Sequence, residues 1–463
     1  MFDTISGMIP RDPDFPERTW RLDVMGRVLD GRLYDVLPFA FQDERGAGGE
    51  YIQLRQRRPS VRYNLARVVV EDAMSLVFSE GHFPTFDCED GAARDALRDI
   101  VAEGRLNQVM QEAMLRGSVG SVALLMRVLR GRVFFSALPT LYLTPVFDPE
   151  APDELAAVVE RYKVRGAALL AQGYEGFEPA AEYWFMRRWD AEREVRFTPW
   201  PVRDYGEPIE DVGRTVRHGL GFVPLVWIRN LPGGDTIDGG CTFRAAIETM
   251  IEIDYQLSQA GRGLKYSSDP TLLIKEPAGV EGTMVRGGGN ALIVSDKGDA
   301  KLLEIGGTAS QAVIEYVRTL REFALEGVHG NRASPERLSA AQSGRALEMM
   351  NQGLIWLADN LRVSYGDGLL RLARMIARAS NVYPLRAFGG ELPAVAAGTR
   401  WTLKWPRWHM PGAEDRERDA RTLATLQASG QLSRLTAVKS IADIYDIPDV
   451  AAEMARIAGE AHS

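Results

Sequence analysis

The sequence predicts an α+β fold of several subdomains, and three observations carry that expectation. The chain has 463 residues, well past the roughly 250–300 at which a single core stops growing. Residues 118–228 alternate with period two in short runs divided by turn residues, as antiparallel strands do. Residues 237–380 instead read helix, glycine-rich β insert, helix, polar loop and very long helix.

Residues 1–60 are rich in Pro, Arg and Asp with weak periodicity, which predicts an extended arm with a few short helices. Val61 to Phe78 predicts a helix, because Leu65, Val68, Val69, Ala73, Leu76 and Val77 recur at three- and four-residue spacing. Ala92 to Arg116 predicts a second, closed by Gly117. The strand runs include Val122-Ala-Leu-Leu-Met-Arg-Val, Arg132-Val-Phe-Phe-Ser, Ala156-Ala-Val-Val-Glu-Arg-Tyr-Lys-Val and Glu182-Tyr-Trp-Phe-Met-Arg-Arg-Trp. Phe222-Val-Pro-Leu-Val-Trp-Ile closes the β region, and Pro224 places it at a sheet edge. Leu231-Pro-Gly-Gly-Asp-Thr predicts a hinge into the helical block.

That block begins with a helix from Thr242 to about Leu264. The insert carries a hairpin signal at Ala291-Leu-Ile-Val-Ser-Asp-Lys-Gly-Asp-Ala-Lys-Leu-Leu-Glu-Ile305. A second helix runs from Ser310 to about Val328, a polar loop from His329 to Gly344, and a long helix to about Ala379. Leu347, Met350, Leu354, Leu357, Leu361, Tyr365, Leu369, Leu372 and Ile376 stripe that helix. Ile355, Trp356, Val363, Leu370 and Met375 flank the stripe, so neighbours are expected on two sides, within the subunit or between subunits. Trp401-Thr-Leu-Lys-Trp-Pro-Arg-Trp returns to a strand. Residues 413–463 are charged and helical, with breaks at Ala428-Ser-Gly and Ile447-Pro-Asp.

Composition narrows the class. Apolar residues at 45% and charged residues at 25% fit a globular chain, neither disordered nor membrane-like. No apolar run approaches the roughly 18–20 residues of a membrane span. Met1-Phe-Asp-Thr-Ile-Ser-Gly lacks a basic region followed by an apolar core, so no signal peptide is expected. Cys88 and Cys241 lie far apart in sequence and are expected as buried thiols of a reduced, intracellular protein. A net charge of −8 argues against a surface that grips nucleic acid throughout, but suits a wall past which DNA slides.

Catalytic chemistry finds little support. The histidines are His82, His218, His329, His409 and His462, and no two share a helix face. HExxH, CxxC, GxSxG and the phosphate-binding GxxxxGK[ST] are all absent. Arg286-Gly-Gly-Gly-Asn290 is followed by no Lys-Ser/Thr and reads as a turn. Glu248 and Glu252 stand one helical turn apart among Ile247, Met250, Ile251 and Ile253, which favours a solvated or lumen-facing acidic stripe over an acid–base pair. Glu315, Glu322 and Glu326 interleave with Arg318 and Arg321, the pattern of a helix laced with salt bridges. The polar loop carries Arg332, Glu336 and Arg337, with Arg345 just beyond, and suits either transient phosphate contact or a plain connection. No catalytic residue, metal ligand or cofactor is expected.

Several stretches together resemble the portal (head–tail connector) proteins of tailed bacteriophages. Leu220-Gly-Phe-Val-Pro-Leu-Val-Trp-Ile-Arg-Asn is similar to the family's strand ahead of the stem. Thr242 to Leu264 resembles the first stem helix, Tyr266 to Gly307 the clip, and Ser310 to Val328 the second stem helix. His329 to Gly344 resembles the tunnel loop, and Ser343-Gly-Arg-Ala-Leu-Glu-Met-Met the start of the long wing helix. Gly430-Gln-Leu-Ser-Arg-Leu-Thr-Ala-Val and Asp446-Ile-Pro-Asp-Val-Ala-Ala-Glu resemble the crown. Tyr63-Asn-Leu-Ala-Arg and Ser75-Leu-Val-Phe-Ser-Glu resemble the early wing helix.

The resemblance implies an arm and wing at 1–236, stem helices at 237–265 and 309–328, and a small α/β clip at 266–308. It further implies a tunnel loop at 329–344, a long helix returning to the wing at 345–412, and a crown at 413–463. It implies a homo-oligomeric ring of about twelve subunits at one capsid vertex. The ring is a DNA channel for viral genome packaging and ejection. Implied partners are the terminase large subunit, major capsid and scaffolding proteins, a head-completion or tail adaptor protein, and double-stranded DNA. The implied location is the virion, after assembly in the host cytoplasm, without a membrane. Arg332, Glu336, Arg337 and Arg345 become candidate DNA contacts, and Glu248 and Glu252 candidate channel lining. Two alternatives stay open: a non-viral ring or scaffold, and a soluble enzyme using the β-rich region with Glu248/Glu252 or His218 as acid–base groups.

Overall fold

The computed structural model describes all residues except 205, 269–270, 276–298, 304–307, 331–348, 350, 409–412, 443, 446, 448–449 and 461–463. The chain mixes helix and sheet and divides into two compact units. The first holds residues 1–71, 113–125 and 137–328; the second holds 72–112, 126–136 and 329–463.

In the first unit the N-terminal segment is folded rather than extended. Helices span Phe2–Ser6 and Glu17–Leu29, and the second buries Leu22, Met25, Val28 and Leu29 at helical spacing. Ile5, Leu33, Leu37 and Phe41 are each buried, although little of the chain from 30 to 60 is regular helix or strand. The β region forms a sheet in the order 143–147, 155–165, 182–189, 193–196 and 216–217, each strand antiparallel to the next. The register sets Tyr162 opposite Phe185 and Val158 opposite Trp189. Val158 and Trp189 then join Ala123, Leu125, Leu143, Leu225 and Trp227 in one buried cluster. Strand Leu225–Arg229 starts directly after Pro224 and is an edge of a second sheet, pairing only with 121–129. Proline's missing amide is tolerated at such a place.

The expected hinge after Leu231 is a braced turn instead. Leu231 and Gly240 form an antiparallel bridge. Asp235 accepts the amides of Ile237 and Asp238 at 2.8 and 2.6 Å. Asp238, buried, takes the Arg18 guanidinium in a two-pronged pair at 2.8 and 2.7 Å, and accepts the Ser121 hydroxyl at 2.5 Å. A Cβ on Gly239 would stand 2.6 Å from the Asn230 amide nitrogen, so glycine is required for the chain to approach itself.

In the second unit the single helix expected over 92–116 is two, Gly91–Glu103 and Leu106–Gly117, the latter shared with the first unit. Asp90 caps the first through the amides of Ala92 and Ala93. The break falls at Gly104, where a Cβ would meet the Phe135 ring at 2.6 Å, and at Arg105, whose φ is 49°. The long helix spans Gln352–Ser380. Leu354, Leu357, Leu361, Tyr365, Leu369, Leu372 and Ile376 are all buried, while Leu347 and Met350 lie outside the described residues. Tyr365 packs edge-on to Phe78 with ring centroids 6.0 Å apart. Of the flanking set, Ile355 and Met375 are buried but Trp356 and Val363 are exposed. Thr402–Lys404 pairs antiparallel with Thr85–Asp87. Helices Ala413–Ala428, Arg434–Ile441 and Val450–Glu460 follow, broken where the sequence predicted. A cavity of about 410 Å³ between the first two is lined by Leu423, Ala437, Val438 and Ile441.

Two tight hairpin turns in the second unit share one geometry. Strands 121–129 and 132–139 are joined by Arg130 and Gly131, with φ of 53° and 82°. Strands 386–387 and 390–391 are joined by Phe388 and Gly389, with φ of 49° and 81°. Positive φ at both central residues marks a type I′ turn, whose first position favours Asn, Asp or Gly.

Candidate functional site

The helices Ile247–Ser268 and Thr308–Gly327 pack along each other. Between them in sequence lie the antiparallel strands Thr271–Lys275 and Asp299–Leu303, paired with Thr271 opposite Leu303. The described strand 299–303 falls in the second half of the expected 291–305 hairpin; the first half lies outside the described residues. The pair forms a two-helix stalk with distinct ends. At its root, Ile247, Met250, Ile251, Ile253 and Tyr255 are buried on one helix, and Ala324, Leu325 and Val328 close the other. Beyond Ser258, no described side chain of the first helix is buried, nor any from 311 to 323 on the second.

A polar clasp fastens the root. The Asp254 carboxylate, almost fully buried, accepts the Tyr34 hydroxyl at 2.7 Å and the Tyr63 amide at 2.7 Å. The Ser258 hydroxyl accepts the Val61 amide at 3.0 Å and donates to the Asp254 carbonyl at 2.7 Å. From the second helix, Arg321 donates to the Tyr63 hydroxyl at 3.1 Å. One stretch, Val61–Tyr63, therefore touches both helices. Tyr255 donates to the Arg57 carbonyl at 2.9 Å and sets its ring edge-on to Tyr34. Burial pushes the Asp254 carboxyl up to about 6, outweighing the Tyr34 and Tyr63 hydrogen bonds and the Arg62 charge that draw it down. Arg62 lies 3.0 Å from Asp35 and stacks over the Tyr34 ring at 5.7 Å.

The expected site residues divide. Glu248 is half-exposed, and its carboxylate accepts the Met1 ammonium at 3.1 Å and the Phe2 amide at 3.2 Å. Partial burial would raise its carboxyl, but these two partners hold it below the usual range. Glu252 accepts the Gln256 side-chain amide at 2.7 Å. Each of the two carboxylates thus has its own partner within the chain. His218 takes no part with them: its Nδ1 accepts the Leu220 amide at 3.3 Å, and burial lowers its pKa. Glu315, Arg318, Glu322 and Glu326 are exposed and form no ion pair among the described residues, so the expected salt-bridge lacing is absent there. Arg332, Glu336, Arg337 and Arg345 lie outside the described residues. Cys88 and Cys241 are free and half-buried rather than fully buried, and burial pushes the Cys241 thiol up to about 12.

Asp254 had a sequence signal. It falls on the apolar face marked by Ile247, Met250, Ile251 and Ser258, where a charged residue must find partners. Among the described residues no cluster of His, Cys, Asp and Glu could hold a metal ion, and no helix is long and apolar enough to cross a membrane.

On the stalk, apolar side chains stand bare. Phe323 is 62%, Tyr316 46% and Ile314 41% exposed. Tyr316 and Phe323, seven residues apart, share one face, whereas Ile314 and Tyr316 are separated by about 200° around the axis at ~100° per residue. Among the described residues, exposed apolar side chains thus stand on two opposite sides of one helix.

No curated protein matches the chain. One solved structure that it resembles is a chain of the virion of a native gene transfer agent particle. That likeness covers 81% of this chain and 88% of that one, at 12% identity and a TM-score of 0.39. A likeness of that grade carries no argument about fold or function. The family model for phage portal proteins of the SPP1 Gp6-like type matches residues 13–463. With nearly the whole length matched, the chain belongs to the SPP1 Gp6-like phage portal protein family.

Proposed function

We propose that the protein assembles head-to-tail into a closed ring at one vertex of a virion head and forms the channel for packaging and ejecting double-stranded DNA. The observation that carries this reading is the stalk with two bare apolar faces on opposite sides. A surface that pairs with itself needs one such face, whereas a closed ring needs two different faces on every subunit. In the family's terms the stalk is the stem, 266–308 the clip, 329–344 the tunnel loop, the β-rich region and long helix the wing, and 413–463 the crown. A ring of about twelve chains would carry roughly twelve times the chain's −8, which favours sliding of DNA over adhesion. Glu248 and Glu252 line the channel in this reading. The protein hydrolyses nothing itself; a terminase large subunit docks on the clip, capsid and scaffolding proteins surround the ring, and a head-completion or tail adaptor binds later.

Negative-stain microscopy and light scattering of the purified protein test the ring. The wild type is expected to form rings with a central channel. Ile314→Asp on one face, or Tyr316→Asp with Phe323→Asp on the other, each removes them. Mixing the two variants restores only a dimer, because one intact face remains on each. A wild-type monomer at all concentrations, or a dimer blocked identically from both faces, refutes the ring. The tunnel loop is tested separately: replacing Arg332, Glu336 and Arg337 with Ala is expected to reduce DNA packaged and retained, and unchanged packaging removes their role. Deleting 266–308 is expected to abolish terminase binding; retained binding moves the docking site elsewhere.

A further inference from the structure

The two type I′ turns of the second unit meet. The Arg386 amide donates to the Gly131 carbonyl at 2.8 Å, and a Cβ on Gly131 would stand 2.8 Å from the Pro384 carbonyl oxygen. Both turns place a large side chain at a left-handed position. Arg130 and Phe388 sit where Asn, Asp or Gly would relieve the strain. Phe388 is 67% exposed, so the cost is not repaid by burial. Backbone strain kept at an exposed tip, twice and side by side, points from the outlier to a function.

The surroundings define what the tip can hold. Leu129 is 56% and Phe134 40% exposed. The strand pleat sets Leu129, Arg132 and Phe134 on one face of the first hairpin. The Arg132 guanidinium lies 5.3 Å over the Phe134 ring and 3.1 Å from Glu103. Arg386 faces Glu391 at 3.9 Å. Arg130 is exposed, and its guanidinium has no partner among the described residues. The tip therefore sets three exposed apolar side chains beside Arg130, which has no ion-pair partner among the described residues, and beside Arg132 and Arg386, which already face Glu103 and Glu391.

We propose that the paired turns Arg130-Gly131 and Phe388-Gly389 are a docking tip for an acidic segment of another protein that carries an apolar anchor. Charge complementarity selects a carboxylate for Arg130, whose positive charge is not offset by an ion pair among the described residues, and Leu129, Phe134 and Phe388 supply the apolar seat. Nucleic acid would use the arginines but leave the apolar side chains idle, so protein is the better fit.

The test is fluorescence anisotropy on the full chain with a short labelled peptide alternating Glu with Leu. Controls are the same peptide with Lys for Glu and a short DNA duplex. The acidic peptide is expected to bind, and the lysine peptide not to. Arg130→Asn and Phe388→Asn are each expected to weaken binding by roughly tenfold or more, while their urea midpoints stay level or rise, because Asn suits the left-handed position. Arg130→Lys is expected to keep most of the binding. The proposal is overturned by absence of acidic-peptide binding, by preference for the lysine peptide or the duplex, by unchanged affinity in both variants, or by lower urea midpoints in both.

Discussion

Arg18→Ala is expected to lower the stability of the first unit by about 3–5 kcal/mol, the cost of leaving a buried charge uncompensated. Asp238 is buried, and Arg18 supplies both prongs of its main ion pair. The same guanidinium also donates to the carbonyls of Thr140 and Leu143 at 2.9 and 3.0 Å, so its loss strands acceptors as well. Arg21 stands 3.4 Å from Asp238 but is already committed to Asp235 at 2.5 Å, so it compensates poorly. The partial burial of Asp235 raises its carboxyl, yet the amides of Asp238 and Ile237 together with Arg21 pull it down to about 2. Urea unfolding read through tryptophan fluorescence is suited to this, because Trp227 donates to the Ile237 carbonyl in the same turn. Arg18→Lys should recover only part of the loss, since an ammonium cannot reproduce the two-pronged geometry. A loss below about 1 kcal/mol for the alanine variant would show that the pair is solvated, as surface pairs are.

The second large effect is a pH dependence centred on Asp254. Its folded pKa of about 6 lies above the ordinary aspartate value of 3.8, so the native state holds the proton more tightly than the unfolded chain. The stability this group contributes is complete below the unfolded value and is lost as pH rises through the folded one. The whole swing is about 3 kcal/mol, of which about 1.4 kcal/mol falls between pH 5 and pH 7.5. Other carboxylates titrate the opposite way, Glu248 and Asp235 among them, so the wild type alone does not isolate the term. Asp254→Asn does. Its side-chain oxygen still accepts the Tyr63 amide, and its NH2 can donate to the Tyr34 hydroxyl. The stability difference between wild type and variant should therefore shift by about 1.4 kcal/mol in favour of the variant from pH 5 to pH 7.5. A difference that stays constant across that window would place the Asp254 carboxyl at an ordinary value.

The β-rich region was legible because alternation reports which face is buried, and burial was what the strands at 121–229 were selected by. The long helix was legible for the same reason, down to the individual members of its buried stripe from Leu354 to Ile376. The N-terminal segment was not, because its structure depends on partners remote in sequence. Arg18 reaches Asp238, and Tyr34 reaches Asp254, each across 220 positions. The helix break at Gly104 was hidden by apolar periodicity continuing on both sides, and only the Phe135 ring shows why a side chain is excluded there. At the stalk, Glu248 and Glu252 stand out as a pair one helical turn apart, whereas Asp254 lies two residues further and on the apolar face. Exposed carboxylates are conspicuous in a sequence, whereas the buried one governs the root. The bare positions of the second stalk helix were unreadable in principle, since Tyr316 and Phe323 look like core until their surroundings are known.

The contrast between the stalk's buried root and its bare outer half has a thermodynamic consequence. A short helix without a packed face is marginal in water, because nucleation is costly and each added residue contributes little. Among the described residues the stretch beyond Ser258 and the facing stretch up to Phe323 have chiefly each other to pack on, so in the proposed ring their local free energy depends on the neighbouring subunits. The root is an intramolecular quantity, the same at any dilution. In the ring proposed above, the outer half obeys mass action, so its order is a function of protein concentration and of the partners present. One continuous helix is then divided between two ledgers: the first three turns belong to the folding of the chain, and the remainder to its association.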